Sequence, residues 1–378
     1  MQIHVGSKHL VADVAVALDV SGREHLVVVA KGSWKIPKPG QRARPLAPEP
    51  LSVSDEFYGE PGSSALRYPS DFARFKPRCD VLFDACAHSP SGQPVKEMFA
   101  SWQVGSLKKS LRAHGPRHWF RTLGVNSLSP SQSAVSVPLH FGYAFGGSVP
   151  LSKGAAGTGD ADVYSPNPVG RGFAGKRTAD QIDTMPAAQL EAVDERLKSP
   201  YDKLSPQAFS AVPSNFPSRL RFAGTYDEAW AHDVAPFLPD DFSDEFNQCA
   251  PSDQQMPYPK GGEQVILEGM LRGVPRLCFQ LPDLAPLEVR ILRTDYSVEV
   301  VPAPADTLFF ELEKDRFSAV WRAHAPLRRR IQEIDTVTVG KVDSAWWDAR
   351  RLGHEQEGGC AGCGDMPPEA LLSREISE

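Results

Sequence analysis

Cysteine is scarce in this 378-residue chain. Its six cysteines (Cys79, Cys86, Cys249, Cys278, Cys360 and Cys363) are irregularly spaced, which excludes a disulfide framework and fits reduced thiols. No apolar run approaches the roughly 18 residues that a spanning helix needs, so no membrane span is expected. The opening residues, "MQIHVGSKHLVADVAV", lack a basic segment followed by an apolar stretch. No signal peptide is therefore expected, and a cytoplasmic protein is the reading. Asp and Glu are missing from Met98 to Gly159, and Lys and Arg from Phe222 to Pro259. There is no G-x-S-x-G nucleophile elbow, and Ser106 to Lys109, an S-x-x-K, lacks the S-D-N and K-T-G partners that would give it meaning.

Proline (34) and glycine (30) are abundant by contrast, while 41% of residues are hydrophobic. That mixture suits short strands joined by tight turns around a real core, and it argues against long helices. Residues 10 to 36 read as a β-hairpin, with "SGRE" as the turn between "LVADVAVALDV" and "HLVVVAKGSWKI". "CDVLFDACA", "MFASWQVG", "SAVSVPLHF", "EQVILEGM", "RLCFQLP" and "EVRIL" are further strands. "TLFFELEKDRFSAVWRA" is a second hairpin turning at "EKDR". The segment "TADQIDTMPAAQLEAVDERLKS" is the one candidate for a longer helix, interrupted or restarted at Pro186. The fold class expected is mainly β, sandwich-like or in two β-rich lobes, with a few short helices and long irregular Gly/Pro-rich loops. A domain over 1–345 is expected, either whole or as lobes at about 1–150 and 218–345 joined by a loop/helix region, 151–217. A tail, 346–378, follows.

The net charge of −6 is segregated. Lys108, Lys109, Arg112, Arg117, Arg121 and Lys153 fall in the stretch without acids, while eight carboxylates fall in the stretch without bases. The basic stretch carries no helix, finger or RNA-binding signature, so no nucleic-acid partner is expected. The two stretches either face one another or form separate solvated faces.

"FAGTYDEAWAHDVAPFLPDDFSDEF", residues 222 to 246, holds seven carboxylates and six aromatic rings. Thr225 and Glu228 fit a capping box, with Asp227 in the first turn and Tyr226 and Trp230 on one helix face. Pro239 and Asp240 open a second short helix, with Asp241 in its first turn and Phe242 and Phe246 on its inner face. The acids thus read as helix starts and the aromatics as inner faces. A recognition surface and a hydrolase using Asp227, Asp240 or Asp241 are the other readings.

Cys360 and Cys363 form a C-x-x-C with His354 upstream, which is half of a tetrahedral zinc site. No second C-x-x-C completes it, so neither a metal nor another cofactor is expected. "GRGFAGKR", residues 170 to 177, is a near-miss for a phosphate loop, because Arg177 stands where Ser or Thr would hold magnesium.

Several motifs in order carry a resemblance. "KGSW", "LRYPSDFARFKPRCDVLF", "GPRHW", "PLHFGYAFGG", "NPVGRGF", "AGTYDEAW", "PFLPDDFSDEFNQCAPSDQQ", "GGEQVILEGM" and "DTLFFELEKDRFSAVWRA" together resemble the family called domain of unknown function 2169. The resemblance runs from about residue 10 to about 325. The family pattern falls on Lys76, Pro77 and Asp80, on Phe145, Gly146, Gly147, Asn167, Pro168, Gly170 and Gly172, and on Gly224, Thr225, Tyr226, Asp227, Trp230, Pro239, Asp241 and Phe242. Phe216 departs from it, standing where a tryptophan is usual.

What the resemblance implies is a bacterial, non-catalytic adaptor, or chaperone, of type VI secretion. Such a protein binds a secreted toxic effector and helps load it onto the secretion spike. The expected partners are therefore the effector and the spike protein or its tip, with no nucleic acid and no membrane. Tyr226, Asp227, Trp230, Asp241 and Arg171 are the candidate partner-binding residues, and no catalytic residue is expected.

Overall fold

The computed structural model describes residues 1–150 and 161–353. Its largest sheet runs, in order, through Gln255–Met256, Cys79–Asp84, Ala305–Glu311, Arg316–Pro326, Glu24–Lys35 and Leu10–Leu18, with Arg44–Pro45 added beside Lys35. Cys79–Asp84 and Ala305–Glu311 are parallel, and the other pairs are antiparallel. Both hairpins expected from the sequence are present. The first turns where Asp19 Oδ1 accepts from the backbone N–H groups of Ser21 and Arg23, an Asx turn built by one short carboxylate. The second turns through the 3-10 segment Leu312–Lys314 and Asp315, whose φ of 56° is left-handed, a conformation Asp tolerates.

Glu24–Lys35 shows how period-2 alternation places this sheet inside the protein. Leu26, Val28 and Ala30 join the main core, while Val27 and Val29 join a second cluster with Val320 on the opposite face. The sheet that covers the main core is antiparallel throughout, in the order Leu190–Ala192, Leu107–His114, Glu97–Val104, Gln264–Leu271, Val274–Gln280. An aromatic layer joins the two sheets. Phe83 lies 4.9 Å from Phe310 and 5.1 Å from Trp102, and Phe279 lies 5.8 Å from Phe317, measured between ring centroids. This is sandwich packing.

A third sheet joins Gln2–Val5 in parallel to Ile334–Val339, followed by Leu287–Arg293 and Val298–Ala303. The helix Ser344–Arg351 is tied to it. Asp343 caps the helix through the Trp346 N–H at 2.8 Å, Trp346 stacks on His4 at 4.2 Å, and Arg350 pairs with Asp335 at 3.0 Å. The helix therefore runs six residues past the 345/346 boundary expected for the tail.

The chain is mainly β, with several sheets and short helices, as its composition indicates. Strands from 1–150 and from 218–345 are hydrogen-bonded to one another within both large sheets, so the two stretches share one core. Gln2–Val5, Val298–Ala303 and Ile334–Val339 are strands the sequence reading did not include. The longer helix expected over 178–199 is absent. Thr178 and Gln181 form a capping box on a single turn, Ala179–Ile182. Beyond Pro186 the backbone turns outward to other segments: Ala187 donates to Arg117 O, Gln189 donates to Tyr143 O, and Leu190–Ala192 becomes an edge strand. Proline breaks the helix, and cross-chain hydrogen bonds replace it.

Candidate functional site

Four of the five candidate residues lie on one projection, residues 222–246. The capping box expected at Thr225 does not form, and a simple N-cap stands two residues further on. Asp227 is the N-cap of the helix Glu228–Asp233, accepting the Trp230 N–H at 2.8 Å. Thr225 is unavailable because its N–H and its hydroxyl both donate to Asp241, each at 2.8 Å. Those two bonds hold the Asp241 carboxyl below its ordinary value. Gly224 makes this closure possible. Its φ is +84°, and a Cβ there would stand 2.8 Å from Asp241 Oδ1. Two of the three carboxylates a hydrolase would use thus shape the loop itself.

The second expected helix is a turn at Pro239–Phe242 followed by the 3-10 segment Asp244–Asn247, capped by Ser243. Phe242 and Phe246 do meet, at 5.9 Å. The aromatics of the first helix are not on an inner face, because that helix buries none of its residues. Tyr226 remains 53% exposed and Phe237 45% exposed. Tyr226 meets Trp230 edge-on at 4.7 Å, and Trp230 Nε1 donates to Phe237 O at 3.0 Å, so the rings bind the loop to itself rather than to the core. The base is anchored by Arg219, which donates to Phe246 O and Val212 O, and by an Arg74–Asp244 ion pair.

Arg171 sits elsewhere, in the "NPVGRGF" loop. Asn167 is fully buried and donates to Phe141 O at 2.9 Å and Phe145 O at 3.0 Å. It holds Gly146, Gly147 and Gly170 so close that a Cβ on any of them would collide with backbone. These three glycines serve close chain approach. Arg171 Nε donates to Gly142 O at 2.8 Å and Nη1 to Gln189 Oε1 at 3.0 Å, with the guanidinium 4.0 Å above the Tyr143 ring. It stands between two cavities. One, of about 700 Å³, is walled by Pro116, Ala134, Ser136 and Pro186; the other, of about 560 Å³, by Tyr58, Asp84, Cys86 and His140. Both are lined by Pro138, Tyr143 and Arg171. None of Tyr226, Asp227, Trp230 or Asp241 lines either.

In the second cavity Asp84 is held by Tyr58 at 2.7 Å and Arg67 at 2.9 Å. His140 stacks on Tyr58 at 3.9 Å and accepts the Gly142 N–H on Nδ1. Burial, with the Arg171 charge, depresses the imidazole to about 4. Burial also pushes the Cys86 thiol up to about 12, with Glu313 and Asp84 adding to the shift. That suits an inert thiol rather than a nucleophile. Tyr58, Asp84 and His140 are not singled out from the sequence, because they come from distant segments and no local spacing marks them as one site.

Lys76, Asp80 and their neighbours are framework. Lys76 is buried against Asp80 and Thr307. Asp80 also accepts from Gln248 Nε2 at 2.6 Å and from the backbone N–H groups of Cys249 and Ala250. Arg322 and Asp306 form a second buried pair beside them.

The charge segregation resolves into pairs. Lys109 meets Asp253 at 3.0 Å, which is where the basic and acidic stretches face each other. Arg112 pairs with Glu97, Arg117 with Glu191 and Arg121 with Asp180. On the projection Asp227, Glu228, Asp233, Asp240 and Asp241 stay exposed, while Asp244 is paired with Arg74. Among the described residues, no group of three His, Cys, Asp or Glu side chains is placed to hold a metal, and no helix is long and apolar enough to cross a membrane. Lys153, His354, Cys360 and Cys363 lie outside the described residues. A family model described as "Uncharacterized protein conserved in bacteria (DUF2169)" matches residues 21–322. No curated protein and no solved structure matches the chain.

Proposed function

Because the chain belongs to the DUF2169 family of proteins conserved in bacteria, we propose that it is a non-catalytic adaptor that captures a secreted effector in the cytoplasm and helps load it onto a type VI secretion spike. The secretion context comes from the family resemblance. The binding role is supported by one observation: the family-pattern residues Tyr226, Asp227 and Trp230 lie on a projection whose helix buries nothing. By contrast, the family-pattern residues Lys76, Asp80 and Asn167 are buried and hydrogen-bonded within the fold. Folding explains those positions in full, whereas on the projection the rings brace only one another and Tyr226 stays half exposed. Exposed aromatics ringed by carboxylates suit a protein partner with a basic, partly apolar face.

Co-expression with type VI effectors and spike proteins of the host bacterium is the test, followed by a sizing column at several salt concentrations. A stable complex that includes the effector or the spike protein supports the reading. Failure of both to co-purify at every salt concentration overturns it.

A further inference from the structure

Of the charged side chains that line the two cavities, Arg117 is paired with Glu191 and Asp84 with Arg67. The imidazole of His140 is neutral near pH 7. Arg171 is the exception. Among the described residues no carboxylate lies within ion-pair distance of it, and its polar neighbours are Gly142 O, Gln189 Oε1 and Tyr143. Its guanidinium is half-buried, and a cation withdrawn from water without a counter-ion is costly. Two backbone and side-chain oxygens and the Tyr143 face orient it without neutralising it.

We propose that this groove binds an extended peptide segment and that an internal Asp or Glu of that segment pairs with Arg171. The proposal rests on the adaptor reading only in taking the partner to be a protein. Three features choose this occupant. A single uncompensated cation matches one carboxylate better than a phosphate dianion, since Arg117 is already committed. Space lies on both sides of Arg171, about 700 Å³ and about 560 Å³, so the acid belongs mid-chain rather than at the end of a ligand. Finally, among the described residues the wall strand Ser136–Pro138 pairs on one edge only, with Cys86–His88, and Pro138 brings a carbonyl but no N–H to the other. Its other edge is open to strand addition.

The test is selection of random dodecapeptides displayed on phage against the full chain, repeated against Arg171→Gln. Peptides enriched on the native protein are expected to share one Asp or Glu flanked by small or apolar residues. A synthetic enriched peptide should bind roughly tenfold weaker when that acid becomes Gln, or when the protein carries Arg171→Gln. Arg171→Lys, which keeps the charge, should lose less. The inference is overturned if no peptide is enriched, if the enriched peptides share no acid, or if the acid-to-Gln peptide binds as well as its parent. Competition by acetate or succinate as strong as by the peptide would also overturn it, because it would mark a small-carboxylate site. If Arg171→Gln lowers the melting temperature, the peptide substitution alone decides. An effector that co-purifies equally with native and Arg171→Gln protein would remove this inference and leave the adaptor reading intact. A failed co-purification would leave the peptide selection free to succeed.

Discussion

The ammonium of Lys76 lies 2.8 Å from the carboxylate of Asp80, and neither side chain exposes more than 2% of its surface. Burial, the largest single effect, would depress the lysine, yet its acidic neighbours, Asp80 foremost with Asp306 behind it, together outweigh burial and hold Lys76 protonated above its ordinary value. Asp80→Ala removes that counter-charge and orphans three further donors, from Gln248, Cys249 and Ala250. The expected loss is about 3–5 kcal/mol, read by urea denaturation. Asp80→Asn, which keeps an acceptor, should cost less.

Stability should fall with acidity before the carboxylates titrate. His140 is held at about 4 in the folded protein, by burial first and then by Arg171. The unfolded chain protonates it near its ordinary 6.5, so its contribution is whole above that value and declines as pH falls toward 4. The loss should reach on the order of 3 kcal/mol. His324, depressed by burial and by His25, adds to the same window. Glu191 and Glu311 are held below their ordinary value, so their losses come at lower pH. His140→Asn keeps an acceptor for Gly142 and should flatten the melting temperature between pH 6.5 and 4 relative to the native chain.

On the projection, binding and stability should separate. Tyr226→Ala is expected to remove effector co-purification while changing stability by less than about 0.5 kcal/mol, because the ring is half exposed. Asp227→Ala removes an N-cap and should cost about 1 kcal/mol, confined to the helix Glu228–Asp233. Complex formation should weaken as salt rises, since the carboxylates involved are solvated. Binding that is indifferent to salt would place the contact elsewhere.

Gly224→Ala should behave differently from both. It forces a Cβ into a left-handed position against Asp241 and Pro239 and opens the Thr225–Asp241 closure. The projection is expected to lose hydrogen-exchange protection at the Thr225 and Trp230 amides while the core strands keep theirs.

The hairpins 10–35 and 305–326 could be read from the sequence because each is contiguous, with an alternating pattern and a marked turn. The acids of the projection were legible as structural, but the cap fell two residues away because Thr225 is claimed by Asp241, sixteen positions on. Whether Tyr226 faces in or out depends on what the fold places beside it, and local periodicity holds no information on that. Thr178 was a true start signal with no helix to follow, since Ala187 and Gln189 find carbonyl partners at Arg117 and Tyr143. The groove at Arg171 draws on residues from Tyr58 to Gln189, so no window of sequence contains it.

The place of Arg316–Pro326 in the largest sheet has a consequence for synthesis. It inserts between Ala305–Glu311 and Glu24–Lys35, so the first hairpin leaves the ribosome long before its neighbour exists. At roughly 5–20 residues per second, Leu26, Val28 and Ala30 wait on the order of 15–60 s for the strand that completes their side of the sheet. Closure then spans nearly the whole chain, a slow topology. For this protein the nascent chain, more than the finished fold, is where aggregation or capture by a holdase would be decided.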